Sequence, residues 1–305
     1  MNRREFIFKS SGLAVTAWVA PGFVQTLDSA PVKKNKLDRI AMGTLLFRYR
    51  FKQTKPKEMP EIKNELTLLD VPEHHRDRFG IRKLEFWNEH FESLEPSYLA
   101  KLRDKIKAAD CQLLDVQVDR ISYDLASKDE TARLKSVKDV KEWIDAASLL
   151  GSTCIRINPG RSQGTVEKSI ESLKELNGYA KSKNLIIITA NHFGIEMDAD
   201  KHVQIVKGAG VYTEPDFGNY PHDDQLFAKL EKIVPHAYIV SAKVVDFDQN
   251  MEHVSYDFDK CVRLCEDAGF KGTYMVAQWS GKFQDMDYEK VGDWVIEHLK
   301  RNMRG

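Results

Sequence analysis

Neither sign of charge is in surplus: the 305 residues carry 46 Lys and Arg against 46 Asp and Glu. No acidic or basic run is long enough to form an interaction tail. A neutral body lacks the electrostatic footprint of a nucleic-acid binder. Cysteine is scarce, with only Cys111, Cys154, Cys261 and Cys265, and these suggest no disulfide framework. Cys111 and Cys154 open apolar runs, where a free thiol packs as a small hydrophobe. Cys261 and Cys265 share one face of a predicted helix, but no Cys or His pair stands at a zinc spacing to complete a site. No apolar run reaches the ~20 residues of a membrane-spanning helix, so no stable membrane span is expected. No Gly-rich phosphate loop follows the first predicted strand, which argues against a doubly wound nucleotide-binding sheet. There is no internal repeat and no low-complexity linker. A hydrophobic content of 42% suffices for a sizeable core, and an α/β barrel of this length is normally one domain.

The first thirty residues read differently from the rest. Arg3-Arg4-Glu5-Phe6-Ile7-Phe8-Lys9 precedes an apolar, small-residue run from Gly12 to Ala20. A charged segment followed by such a run has the form of a signal peptide. The paired arginines, with Phe two positions on, resemble a twin-arginine signal. Residues 1–30 are therefore expected to direct export, with a periplasmic destination, and residues 31–305 to form the folded domain.

From residue 37 short apolar runs alternate with longer amphipathic ones, the pattern of βαβ units and a parallel sheet. The expected strands are 39–47, 81–87, 111–118, 152–158, 185–190, 210–214, 237–244 and 272–278. Helical patterns cover 96–110, 131–150, 165–183, 198–207, 223–234, 256–268 and 287–300. Pro56, Pro60 and Pro72 break residues 56–79 into pieces, so the first helix is the weakest, and His74-His75 is expected in an exposed loop. Eight strands and about eight helices predict an α/β fold of the (β/α)8 TIM barrel type in a single domain.

In such barrels the chemistry sits at the strand C-termini. Those ends carry Glu85 and Trp87, Gln117 and Asp119, Arg156 and Asn158, Asn191 and His192, Asp216 and Asn219, Lys243 and Asp246, and Gln278 and Trp279. Lys243 interrupts an apolar strand, where an unpaired charge is costly, so it is expected to pair with Asp216 or Glu85. Arg156 needs a carboxylate for the same reason, or serves as a clamp for an anion and hydroxyls.

Several of these segments resemble the xylose-isomerase-like TIM barrels, the sugar phosphate isomerase/epimerase family. They are Gly80-Ile81-Arg82-Lys83-Leu84-Glu85, Arg156-Ile157-Asn158-Pro159-Gly160, Ala190-Asn191-His192-Phe193-Gly194, Asp216-Phe217-Gly218-Asn219, Val240-Ser241-Ala242-Lys243 and Ala277-Gln278-Trp279-Ser280-Gly281. The resemblance spans residues 37–303. It implies a divalent Mn, Mg or Zn held by Glu, Asp, His and Glu at the ends of strands five to eight. Matched by motif, those positions are Ala190, Asp216, Ser241 and Gln278, so Asp216 alone is retained. The cofactor expected is none, or a weakly bound divalent metal.

The resemblance implies an isomerase/epimerase-like enzyme that moves a proton next to a sugar carbonyl. Elimination on an oxidised sugar is a further possibility of the same chemistry. Glu85, His192 and Lys243 are the expected catalytic residues, with Trp87, Arg156, Asn191, Asn219, Gln278 and Trp279 contacting a small carbohydrate. The alternative is a catalytically degenerate barrel that binds carbohydrate without turnover. An abasic-site nuclease ranks last, because it needs a His- and carboxylate-rich metal cluster and a basic surface.

Overall fold

The structure is a computed structural model that describes residues 35–304, apart from residues 60, 121, 161–163, 282 and 284–285. The expected export segment lies outside the described residues. Eight parallel strands form one sheet: β1 (Ile40–Gly43), β2 (Lys83–Trp87), β3 (Gln112–Val118), β4 (Cys154–Ile157), β5 (Ile186–Ala190), β6 (Tyr212–Glu214), β7 (Ile239–Val244) and β8 (Thr273–Gln278). The spatial order is β6-β5-β4-β3-β2-β1-β8-β7. Single bridges, Thr213 to Ala237 and Asp216 to Ser241, join β6 to β7. The sheet is thus a nearly closed barrel, the TIM-barrel fold that the alternation predicts.

The strands alternate with α1 (Val71–Phe79), α2 (Pro96–Ala108), α3 (Glu130–Leu150), α4 (Val166–Ser182), α5 (Ala199–Ala209), α6 (Leu226–Ile233), α7 (Phe258–Asp267) and α8 (Tyr288–Asn302). Local sequence sets their ends. Asp129, Thr165, Asp198, Asp257 and Asp287 cap α3, α4, α5, α7 and α8 by accepting backbone N–H bonds. Gly151 ends α3 at φ 75°, a left-handed conformation that glycine adopts without strain.

Strand alternation divides the core. Residues such as Met42, Phe86, Val116, Ile155, Ile187, Val240 and Val276 pack outward against the helices. Ala41, Leu114, Cys154, Ile188, Ile239 and Met275 pack against each other inside the barrel. Cys261 and Cys265 are fully buried in α7, consistent with packing.

Two expectations near the N-terminus are corrected. The first strand stops at Gly43, and Thr44–Arg50 forms two short 3-10 turns with a kink at Phe47. Apolar side chains with no strict alternation suit a buried turn as well as a strand. Residues 71–79 form a regular helix, because Pro72 falls in its first turn, where no N–H is needed. His75 is consequently buried and His74 half-buried, not surface residues. His74 Nε2 lies 3.0 Å from Arg50 Nη1, and the two imidazole Nδ1 atoms are 3.0 Å apart.

Candidate active site

The barrel interior above its apolar floor is built of polar side chains in two layers. Glu85 stands beside Asp115, Trp87 beside Gln117, Asp115 beside Cys154, and Gln117 beside Arg156 in the strand registers. Period-two alternation therefore turns Glu85 and Trp87, Asp115 and Gln117, and Cys154 and Arg156 to the same inner face.

The lower layer is a fully buried carboxyl group of three. One oxygen each of Glu85, Asp115 and Glu214 lies within 4.8 Å of the others. Burial, then the neighbouring carboxyls, pushes Glu85 well above its ordinary range. Burial likewise raises Glu214 to about 8, with Arg156 working against it, and Asp115 to about 6. Like charges this close cannot all ionise, so the group retains protons near neutrality.

Arg156 joins this layer to the next. Its Nη1 lies 3.4 Å from Glu214 Oε2, and its Nη2 donates to Asp119 Oδ2. Asp119, just past β3, is the hub of the upper layer. It accepts bonds from Gln117 and Arg156 on one oxygen, and its other oxygen accepts from Asn158 Nδ2 at 3.1 Å and lies 3.5 Å from His192 Nδ1. Burial raises the Asp119 carboxyl, but Arg156 and His192 outweigh it and hold the group below its ordinary value. Across the layer, Lys243 Nζ lies 3.2 Å from Asp216 Oδ2 and donates to Asn219 Oδ1.

These groups line a cavity of about 340 Å³ at the strand C-termini. Its polar wall includes Gln117, Asp119, Arg156, His192, Asp216, Asn219, Ser241 and Lys243; its apolar wall is Leu45, Trp87, Phe193 and Trp279. Three buried donors at this wall, Trp87 Nε1, Asn219 Nδ2 and Arg156 Nε, have no partner among the described residues.

Of the residues expected from sequence, Trp87, Arg156, His192, Asp216, Asn219, Lys243 and Trp279 converge on the cavity. Glu85, Asn191 and Gln278 do not line it. Glu85 belongs to the lower carboxyl layer. Asn191 is consumed by the backbone of Asp216, donating to its carbonyl at 3.0 Å and accepting from its N–H at 2.8 Å. Gln278 is turned to the outer layer: Lys243 pairs with Ala277 and Val244 with Gln278, and Val244 packs in the outer core. There the Gln278 side chain accepts from Arg48 Nη1 at 2.7 Å and donates to the Val245 carbonyl at 2.7 Å. Asp119 was visible as a strand-end residue but matches no motif. The signal that finds it is its parity with Asp115 and Gln117.

The residues at the family's metal position do not fit a divalent cation. The motif-matched positions on β5 and β7 are Ala190 and Ser241, and β8 turns Ala277 and Trp279 to the side where a ligand would be needed. The retained Asp216 already faces an ammonium at 3.2 Å. One carboxylate beside a fixed positive charge is a poor match to the several oxygen or imidazole ligands that Mg, Mn or Zn require.

Residues 77–301 match the family model described as xylose isomerase-like TIM barrel. The chain belongs to this family. Solved structures of like fold include a D-tagatose 3-epimerase-like protein, 15% identical with TM-score 0.63 over 86% of this chain and 97% of that one. An L-ribulose 3-epimerase is 11% identical with TM-score 0.67, over 87% and 95%. A xylose isomerase-like TIM barrel protein from Mycobacterium smegmatis in complex with magnesium is 16% identical with TM-score 0.58, over 87% and 98%. No curated protein sequence matches the chain significantly. No described helix is long and apolar enough to cross a membrane.

Proposed function

We propose that this protein acts on a small carbohydrate by moving a proton on a carbon next to a carbonyl, without the family's divalent metal. The observation that carries the reading is the convergence of His192, backed by Asp119, and Lys243, held by Asp216 and Asn219, on one cavity with unpartnered donors at its wall. Such donors suit sugar hydroxyls, since buried donors are normally satisfied. The apolar wall suits the C–H face of a sugar ring.

In this reading His192 accepts the proton, and Asp119 orients the ring and stabilises the imidazolium that forms. The Lys243 ammonium lies against the developing enediolate oxygen and supplies the electrostatic stabilisation that a metal would otherwise give. Arg156 and the Trp87 indole N–H hold hydroxyls. Return of the proton by His192 to the neighbouring carbon gives isomerisation, delivery of a different proton by an acid on the opposite face gives epimerisation, and loss of a neighbouring substituent gives elimination. Glu85 fits a proton-holding role below the site better than that of a base. Export through residues 1–30 would favour free, glycosidic or oxidised sugars over phosphate esters.

One observation favours the second reading, a barrel that binds sugar without turnover. Asp119 and Asp216 are both engaged by cations, which weakens either as a base in its own right. Incubation with ketoses and aldoses in D2O separates the two. The enzyme reading expects deuterium to enter the carbon next to the carbonyl, with His192→Ala and Lys243→Met each lowering the rate at least about a hundredfold. Saturable sugar binding with no deuterium entering any tested sugar would leave the binder.

A further inference from the structure

Trp279 lines the cavity and yet is 43% exposed. It is the described residue that places a large aromatic face both inside the cavity and in solvent. The ring is held rather than loose. Arg48 lies over it at 4.9 Å from the ring centroid, Trp87 meets it edge-on at 6.0 Å, and its backbone N–H donates to Val244 at 3.1 Å.

The support behind it is itself fixed. The Arg48 guanidinium is buried, bonded to the Gln278 carbonyl at 2.8 Å and to the Tyr49 hydroxyl at 2.9 Å, and has no carboxylate partner among the described residues. Tyr49 lies 4.2 Å from Arg48 on a second ring face, and Phe283 meets Tyr49 at 5.1 Å. Contacts between planar groups, edge-on at Trp87–Trp279 and Tyr49–Phe283 and with Arg48 over the rings of Trp279 and Tyr49, thus link the cavity wall to Phe283. A cation over a ring is stabilised by it, so these contacts fix Trp279 before any ligand arrives, which lowers the ordering cost of binding.

We infer that the ligand is a disaccharide: its reducing sugar, which ring opening supplies with a carbonyl, occupies the cavity, and the second ring linked to it lies on the exposed part of Trp279. The inference rests on the carbohydrate reading and deepens it. A single monosaccharide in the cavity would leave the outer part of a preorganised indole in water. The flat C–H face of a second ring covers that surface without needing another charged partner, and the continuity of Trp279 with the cavity fixes where the linkage must cross the rim.

The test measures affinity, not turnover, on the full chain. Glucose, galactose, mannose and fructose are each titrated as the free sugar and as a disaccharide bearing that sugar at its reducing end, with calorimetry and tryptophan fluorescence as readouts. For the sugar that binds, the disaccharide is expected to bind about tenfold more tightly than the free sugar. Trp279→Ala is expected to abolish that gain and Trp279→Phe to retain part of it. Equal affinity for the free sugar and the disaccharide overturns the inference while leaving the carbohydrate reading intact. So does a disaccharide gain that survives Trp279→Ala. Failure of every compound to bind overturns both.

Discussion

At the scale of single residues, parity along each strand decides role more than residue type does. The motif pattern points to Gln278, but its register partner Val244 faces the helices, so the amide binds Arg48 instead of the cavity. Conversely Asp119 stands outside every motif, yet two-residue alternation from Asp115 carries it to the mouth, where it gathers Gln117, Arg156, Asn158 and His192. Lys243 and Arg156 were legible as buried cations in need of carboxylates, and Asp216 and Asp119 answer them at contact distance. The choice of Asp119 for Arg156 depended on three-dimensional register. Asp119→Asn should therefore lower the deuterium-exchange rate about tenfold to a hundredfold. It should also move the acid limb of the pH–rate profile to lower pH, because the anion that favours the imidazolium is gone. A pH–rate profile of the variant checks both; an unshifted limb would detach Asp119 from His192.

At the scale of elements, the helices were readable because capping residues and amphipathic faces repeat locally. The segment between β1 and α1 was not. Apolar residues at 44–47 satisfy a strand pattern and a buried turn equally, and Pro72 reads as a breaker until its place in the first turn is known. Gly43, the last residue of β1, runs close to the buried carboxyl layer. A Cβ there would sit 2.7 Å from Glu85 Oε1 and 3.1 Å from the Val276 carbonyl, so the strand passes the buried carboxyl only as glycine. Gly43→Ala is expected to destabilise the fold by about 1–3 kcal/mol in urea titration. Gly178, in α4 with nothing within 4 Å of an added Cβ, gives the contrast: Gly178→Ala should stabilise by about 0.5–1 kcal/mol. Equal effects of the two substitutions would contradict the close-approach argument.

At the scale of the whole molecule, the fold was legible because eight alternations admit few topologies. The lower carboxyl layer was not, since Glu85, Asp115 and Glu214 lie far apart in sequence and only barrel closure brings them together. That layer should mark stability against pH. Folded Glu214 keeps its proton to about 8, against an ordinary value of 4.5. Above 4.5 the unfolded chain has released this proton, so stability falls with rising pH until about 8. The histidines whose values are lowered, including His75, His90 and His202, act oppositely, but only below their ordinary value of 6.5. Between about pH 6.5 and 8 only the raised carboxyls act, and Glu214 contributes a decline of order 1–2 kcal/mol, to which Glu85 and Glu196, also raised by burial, add in the same direction. Glu214→Gln, which imitates the protonated acid, should remove its share and make the decline shallower in urea titrations across that window. An unchanged slope would mean that Glu214 is ionised in the fold.

The proposed chemistry rests on a tethered ammonium, Lys243 held by Asp216 and Asn219, in place of a divalent cation. The most direct measurement is sugar affinity by calorimetry on chelator-treated protein, repeated after adding Mg, Mn or Zn and repeated with Lys243→Met. Unchanged affinity on metal addition and at least about a tenfold loss with Lys243→Met are expected. Sugar binding that appears only with a divalent metal, and that depends on Asp216 but not on Lys243, would contradict this chemistry.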